Sequence, residues 1–220
     1  LFKIMEVMLD LEILKSESYN FKIPLFLENL SINKGKLIVF SAPSGSGKTT
    51  LVHYLLNERT DLAFSISATS RKPRENEIDG KDYFFLSKED FISKIDNGEF
   101  LEYEEVYDGT FYGTLINEVE RHSENGVNVI FDIDVIGGIN IKKLFPERTL
   151  AIFVQPPSIE ALEERLKNRG DNSPQEINKR VQKAIKEIEY SPDFDEIILN
   201  DNLEESKKIA FKYVDKFLNQ

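Results

Sequence analysis

Five short, nearly unbroken apolar runs divide the chain: Leu37–Ser41, Leu62–Ser67, Val127–Ile133, Leu150–Gln155 and Glu196–Leu199. Continuous rather than alternating apolar character is what strands of a parallel sheet show, because both of their faces are buried. Stretches of helical period lie between the runs. Leu51–Leu56 follows the first of them. Ser173-Pro174-Gln175-Glu176 reads as a helix start, with a serine cap, a proline in the first turn and a glutamate reaching back. Ile177, Val181, Ala184, Ile185 and Ile188 then recur at helical spacing, and Ile209, Ala210, Tyr213, Val214, Phe217 and Leu218 form a last amphipathic stripe. Both stripes are read as core packing. From Ser67 to Thr114 the pattern changes. Alternation in Asp82–Leu86 and Glu99–Tyr107 predicts short antiparallel strands, and Ser87 is placed to cap a short helix. The expected fold is α/β: a five-stranded parallel sheet flanked by helices (35–66, 115–155 and 191–220), with a small α+β insertion at 67–114.

Residues 1–34 show no clear period and are treated as an appendage of unassigned role. They lack the basic, apolar and small-residue succession of a signal peptide, and a chain opening on Leu1 is expected to have a native start that was processed or lies upstream. The most loop-like internal stretch is Asn168–Gln175.

Composition narrows the class. The 220 residues suit one main domain, and 40% hydrophobic residues suffice for a buried core. Cysteine is absent, which removes disulfides and a thiol nucleophile and fits a reducing cytoplasm. Two histidines, His53 and His122, are too few for a histidine-rich metal site. No apolar run approaches the ~18 residues of a membrane span. A net charge of −11 argues against non-specific nucleic-acid binding, which needs a basic face. Arg71 and Arg74 form one group and Arg165, Arg169 and Arg180 another, a distribution that suits phosphate clamps.

The chemistry begins with Ser41-Ala42-Pro43-Ser44-Gly45-Ser46-Gly47-Lys48-Thr49-Thr50, set between an apolar run and a helical one. Strand, glycine-rich turn, lysine, threonine and helix is the layout of a phosphate loop. Glycines allow backbone N–H groups to turn inward around an anion, and the helix start adds a positive dipole end. Lys48 can meet the terminal phosphates and the Thr49 hydroxyl can ligate Mg²⁺. The strict pattern has glycine where this chain has Ala42. An ordinary Gly/Ser turn is the competing reading, and Gly45, Gly47, Lys48 and Thr49 together speak against it.

Further groups follow at what should be the carboxyl ends of strands, where ligands collect in open parallel sheets. Ser67 leads into Ser70-Arg71-Lys72-Pro73-Arg74-Glu75-Asn76-Glu77, and two arginines flanking a rigid proline can fork onto one phosphate. Lys81-Asp82-Tyr83-Phe84 offers a phenol. Phe100-Leu101-Glu102-Tyr103 sets a carboxylate in a greasy strand, and Tyr112-Gly113-Thr114 adds a second phenol and a hydroxyl. Taken in order with Asp132-Ile133-Asp134 and Arg165-Leu166-Lys167-Asn168-Arg169-Gly170, these segments resemble the guanylate kinases, which phosphorylate GMP with ATP. The resemblance runs from about Lys36 to the C-terminus and departs from the family at Asn76, where glycine is usual, which bears on a backbone turn.

That resemblance implies a phosphate-loop sheet, a GMP-binding insertion at 67–114 and a mobile helical lid at 156–190. It implies ATP and GMP (with dGMP) as ligands, Mg²⁺ as cofactor, purine nucleotide metabolism as setting and the cytoplasm as location. Residues 42–50 would bind ATP. Glu102 would accept the paired N1–H and N2–H donors of guanine, with Ser67 and Thr114 at the base edge and Asp134 as a further contact. Arg71, Arg74, Tyr83 and Tyr112 would clamp the GMP phosphate, with Glu77 orienting them. Lys48, Arg71, Arg165, Arg169 and Arg180 would carry catalysis by neutralising charge, and Thr49 and Asp132 would serve the metal. Asp132 competes on even terms with a second role, as cap of the following helix. Taken alone, Glu102 would be read as an exposed strand carboxylate. A peptide-binding module of the same fold is the alternative function, disfavoured by Lys48, Thr49 and the lid arginines.

Overall fold

All five apolar runs become strands of one parallel sheet. In chain order the elements are β1 (Leu37–Ser41), α1 (Lys48–Glu58), β2 (Leu62–Phe64), β3 (Ala68–Thr69), β4 (Phe84–Phe85), α2 (Lys88–Asp96), β5 (Phe100–Tyr107), β6 (Thr110–Leu115), α3 (Ile116–Ser123), β7 (Asn128–Ile133), α4 (Val135–Leu144), β8 (Thr149–Gln155), α5 (Ile159–Asn168), α6 (Pro174–Ile188), β9 (Glu196–Leu199) and α7 (Leu203–Leu218). The structure is a computed structural model that describes residues 35–107, 109–123, 125–168 and 173–220. The appendage expected at 1–34 and the lid residue Arg169 lie outside the described residues.

The main sheet runs β2-β7-β1-β8-β9. Its central strand β1 is flanked by β7 and β8, and Leu37, Ile38, Val39 and Phe40 are fully buried, as the unbroken apolar pattern requires. On one face Phe40, Ile130 and Ile152 pack against Leu51, Val52 and Leu55 of α1 and Ala210 and Val214 of α7. On the other, Ala151 and Phe153 meet Val135 and Ile139 of α4. Each such side chain contributes about 1.5–3 kcal/mol when fully buried. Helices α5 and α6 join through a smaller cluster of their own, Leu162 and Leu166 against Ile177, Val181 and Ala184. The start of α6 is the expected capping box: Ser173 accepts from the Glu176 backbone and Glu176 reaches back.

A second sheet runs β4-β3-β6-β5. Here the structure departs from the sequence pattern in three ways. β2 ends at Phe64, not Ser67, because the chain leaves the main sheet to found the second one at Ala68. β4 pairs parallel to β3, since the long connection through residues 70–83 returns the chain in the same direction, so this sheet is mixed and not purely antiparallel. The pairing of β5 with β6 slips between Phe100, opposite Leu115, and Glu102, opposite Thr114. That bulge at Leu101 inverts the usual alternation. Phe100 consequently stacks on Phe91 of α2, ring centroids 4.3 Å apart, while Glu102 faces the other way.

Candidate active site

The phosphate loop emerges from the carboxyl end of β1. Gly45 and Gly47 have φ of 97° and 90°, the left-handed region that side-chain-bearing residues avoid. Gly47 is the N-cap of α1, and no side chain caps that helix. Its first N–H groups therefore point into the cleft unclaimed by any cap, a ready anion site. Ala42 replaces the expected glycine harmlessly, because its methyl joins the core cluster beside Phe40 and Leu51.

Parallel pairing sets Asp132 of β7 beside Phe40 of β1, at the base of this loop. Lys48 forms an ion pair with Asp132 Oδ1 and its Nζ donates to the Ile133 carbonyl at 2.7 Å. Thr49 Oγ1 donates to Asp132 Oδ2 at 2.5 Å. The cap of α4 is Asp134, whose Oδ1 accepts from Gly137 N at 2.8 Å. Of the two roles weighed for Asp132, the structure thus gives helix capping to Asp134 and leaves Asp132 facing Lys48 and Thr49.

The second sheet supplies the opposite wall. Glu102 is 1% exposed, and its Oε1 accepts from Thr114 Oγ1 at 2.6 Å, the pair held opposite by strand register. Among the described residues its Oε2 has no hydrogen-bond partner. Burial, reinforced by the charge of Asp134, pushes the Glu102 carboxyl up to about 8. Nearby, Arg71 forks onto Glu77 with two bonds of 2.6 Å and donates from Nε to Tyr112 OH at 3.1 Å. Its guanidinium lies 4.9 Å from the Tyr83 ring centroid. Burial alone would lower the Arg71 pKa, and the Glu77 fork together with Tyr112 more than reverses it; the same fork, against burial, holds Glu77 below the ordinary carboxylate range. Burial, and after it the charge of Asp132, pushes the Tyr83 phenol up to about 12, so it stays a proton donor. Asn76 sits in a turn closed by Glu77 N donating to Arg74 O at 3.1 Å, so the departure from glycine is accommodated.

These walls enclose one cleft of about 240 Å³, lined by residues 42–50 on one side and by Ser67, Arg71, Arg74, Tyr83, Glu102 and Tyr112 on the other, with Asp132, Asp134 and Arg180 between them. Among the described residues, two expected site residues, Thr114 and Arg165, lie outside its lining. Thr114 is buried, and its hydroxyl donates to the Glu102 carboxylate. Arg165 reaches the backbone behind the phosphate loop, donating to Asn200 O at 2.9 Å and Ser46 O at 3.5 Å. Arg180 donates to Ser44 Oγ at 2.8 Å.

Sequence reasoning missed Val106, Lys183 and Glu187, which also line the cleft. Lys183 and Glu187 fall three and seven residues after Arg180, so helical spacing alone would have put them on its face. Asn200 was missed too; it follows the apolar run of β9 and its Nδ2 donates to Ser46 O at 2.7 Å, bracing the loop.

A phosphate-type loop that opens onto a wall carrying a buried carboxylate and a guanidinium–phenol pair suits transfer between two nucleotides. It defines the protein as a nucleoside monophosphate kinase of the phosphate-loop class. Residues 34–217 match the guanylate kinase family. The guanylate kinase of Bacteroides thetaiotaomicron is 55% identical over 186 residues, covering 84% of this chain and 91% of the relative. That of Porphyromonas gingivalis is 50% identical, covering 82% and 99%. The crystal structure of guanylate kinase from Anaplasma phagocytophilum matches with a TM-score of 0.67 at 28% identity, covering 85% of this chain and 88% of that one. The chain belongs to the guanylate kinase family. Among the described residues no helix is long and apolar enough to cross a membrane.

Proposed function

We infer that the cleft carries out the guanylate kinase reaction, ATP + GMP to ADP + GDP, with the two nucleotides held end to end. The observation that carries this is the buried Glu102 carboxylate, one oxygen satisfied by Thr114 and the other unpartnered. Guanine presents N1–H and N2–H as parallel donors that such a group accepts. Adenine presents an acceptor at N1 and would leave the carboxylate unpaired, a mismatch that sites of this kind reject by about 10⁴-fold. Ser67 and Asp134 flank the base, and Arg71, Arg74, Tyr83 and Tyr112 grip the GMP phosphate. These contacts leave the ribose 2′-hydroxyl aside, so dGMP serves as well.

On the other side, residues 42–50 cradle the ATP phosphates. A GMP phosphate oxygen attacks the γ-phosphorus as the bond to the β–γ bridging oxygen breaks and ADP leaves. Both partners are anions, so the protein's task is positioning and charge neutralisation. Lys48 spans the β- and γ-phosphates, and Arg71 offsets charge on the acceptor. Arg180 closes from the lid at 156–190 over ATP, with Arg165 bracing the backbone behind the phosphate loop, as the insertion at 67–114 closes on GMP, excluding water from the transfer. Thr49 Oγ1 and the Asp132 carboxylate are the groups that would hold Mg²⁺. Their oxygen-only chemistry suits it, since Mg²⁺ is commonly held by one or two carboxylates, water and substrate phosphates. Held there, the ion would supply positive charge to offset that of the phosphates. A cysteine-free chain acting on free nucleotides suits the cytoplasm and purine nucleotide metabolism.

A coupled ADP-release assay across GMP, dGMP, AMP, UMP and CMP tests the reading. GMP should be turned over best, dGMP next, and AMP orders of magnitude below. Comparable turnover of AMP would overturn it.

A further inference from the structure

Glu104 lies two residues beyond Glu102 on β5, past the bulge and on the same face, and it is only 6% exposed. Burial, and after it the contact with Asp134, holds its carboxyl above the ordinary carboxylate range, and a nearby cation works against that. The cation comes from another part of the chain: Lys183 of α6 places Nζ 3.7 Å from Glu104 Oε1 and 3.5 Å from Glu187 Oε1, and donates to the Val106 carbonyl at 3.5 Å. Arg180, one turn earlier on the same helix face, meets the phosphate loop through Ser44. One helix face thus touches the wall that holds Glu102 and the loop that holds the triphosphate.

We propose that Lys183 is a positioning residue that, by bridging Glu104 on β5 and Glu187 on α6, couples the two nucleotide sites so that each nucleotide tightens the binding of the other. The proposal rests on the assignment of the sites given above. The physical link is direct. Swinging α6 away from the cleft takes the cation from the Glu104 carboxyl and makes its ionised form costlier still, so wherever that carboxyl is ionised the bridge favours the helix position in which Arg180 reaches the phosphate loop. A triphosphate nucleotide favours that position through Arg180, and a guanine base fixes β5 through Glu102. Both ligands bias the same two-state element, which is the requirement for positive coupling, and the coupling is reciprocal.

Calorimetry on the full chain tests this. Affinity for GMP is measured with and without a non-hydrolysable ATP analogue, and affinity for the analogue with and without GMP. The wild type should show the same enhancement in both directions, on the order of tenfold. Lys183→Met keeps the length and packing of the side chain but removes the charge. It should bring the factor, which is the ratio of affinities with and without the other nucleotide, close to one. Lys183→Arg should retain coupling, whereas a packing-only role would be served equally by methionine. Should Lys183→Met fail to fold, the double variant Glu104→Gln with Lys183→Met removes both charges and should show the same loss. Undiminished coupling in either folded variant, or no coupling in the wild type, overturns the proposal. A Glu102→Gln arm separates it from the site assignment: unchanged binding of GMP alone in that variant would refute the base-reading role and leave the coupling factor to report on Lys183.

Discussion

At pH 7 the binding of GMP is expected to expel close to one proton from the protein, and Glu102 is its source. In the free enzyme this carboxyl is buried, sits near Asp134 and has its pKa pushed up to about 8. At pH 7 it is therefore ionised in about one molecule in ten. Guanine's two N–H donors require the ionised form, so association selects that minor fraction, and apparent affinity scales with it. The cost at pH 7 is about 1.4 kcal/mol, one pKa unit. Between pH 7 and 8.5 the ionised fraction rises about eightfold, so GMP should bind about eightfold more tightly across that interval and then level off. Titration calorimetry in buffers of differing ionisation enthalpy counts the released proton directly. Glu104 and Glu187 also carry raised pKa values, in both cases chiefly through burial, so a control is needed. Glu102→Gln supplies it: proton release and its pH dependence should vanish, with GMP binding about 10²-fold weaker, from loss of a charged hydrogen-bond acceptor worth about 1.5–3 kcal/mol. A binding enthalpy that does not change with buffer at pH 7, together with flat affinity up to pH 8.5, would refute the reasoning.

Three further expectations can be checked with ordinary assays. Lys48→Ala should remove most turnover, on the order of 10³-fold as for loss of a transition-state charge contact, while GMP binding by calorimetry stays near normal; a near-normal rate would remove Lys48 from its role. Gly137→Ala places a Cβ 2.5 Å from Glu102 Oε2, so the KM for GMP should rise at least tenfold while that for ATP holds, and equal effects on both would argue against Glu102 as the base reader. Stability of the free enzyme should fall as pH rises. Glu102 and Glu187 titrate at about 8 and about 7 when folded and Glu104 is raised as well, so across about pH 5–9 the folded state holds more protons than the unfolded one. A melting temperature that climbs from pH 6 to 8.5 would contradict the assignment of these raised values.

Most of the main sheet was legible because parallel strands carry their burial in one dimension. Leu37–Ser41 and Glu196–Leu199 were read to the residue, and the Ser173 capping box announced α6. What stayed hidden depends on relations between strands. A bulge at Leu101 leaves no mark in period-two reading, yet it sends Glu102 to the cleft and Phe100 to the aromatic core. The side of the ladder on which Thr114 lies is equally non-local, so its bond to Glu102 could not be read from the chain. Asp132 and Asp134 differ by two places on one strand end, and only the turn geometry shows which of them caps α4. Arg165 was grouped with the cleft cations by family resemblance, whereas its guanidinium donates to the backbone of Ser46 and Asn200. The phosphate loop was the clearest part, since its function resides in the backbone of a contiguous segment.

The account stands on the claim that one cleft holds both nucleotides end to end, with Lys48 and Arg71 facing the same phosphates from opposite walls. Competition with a single molecule in which adenosine and guanosine are joined 5′ to 5′ through a polyphosphate chain tests that most directly. Such a compound should displace the ATP analogue and GMP together, bind more tightly than either, and lose affinity in both Lys48→Ala and Arg71→Ala. Displacement of one nucleotide while the other stays bound would contradict a shared cleft.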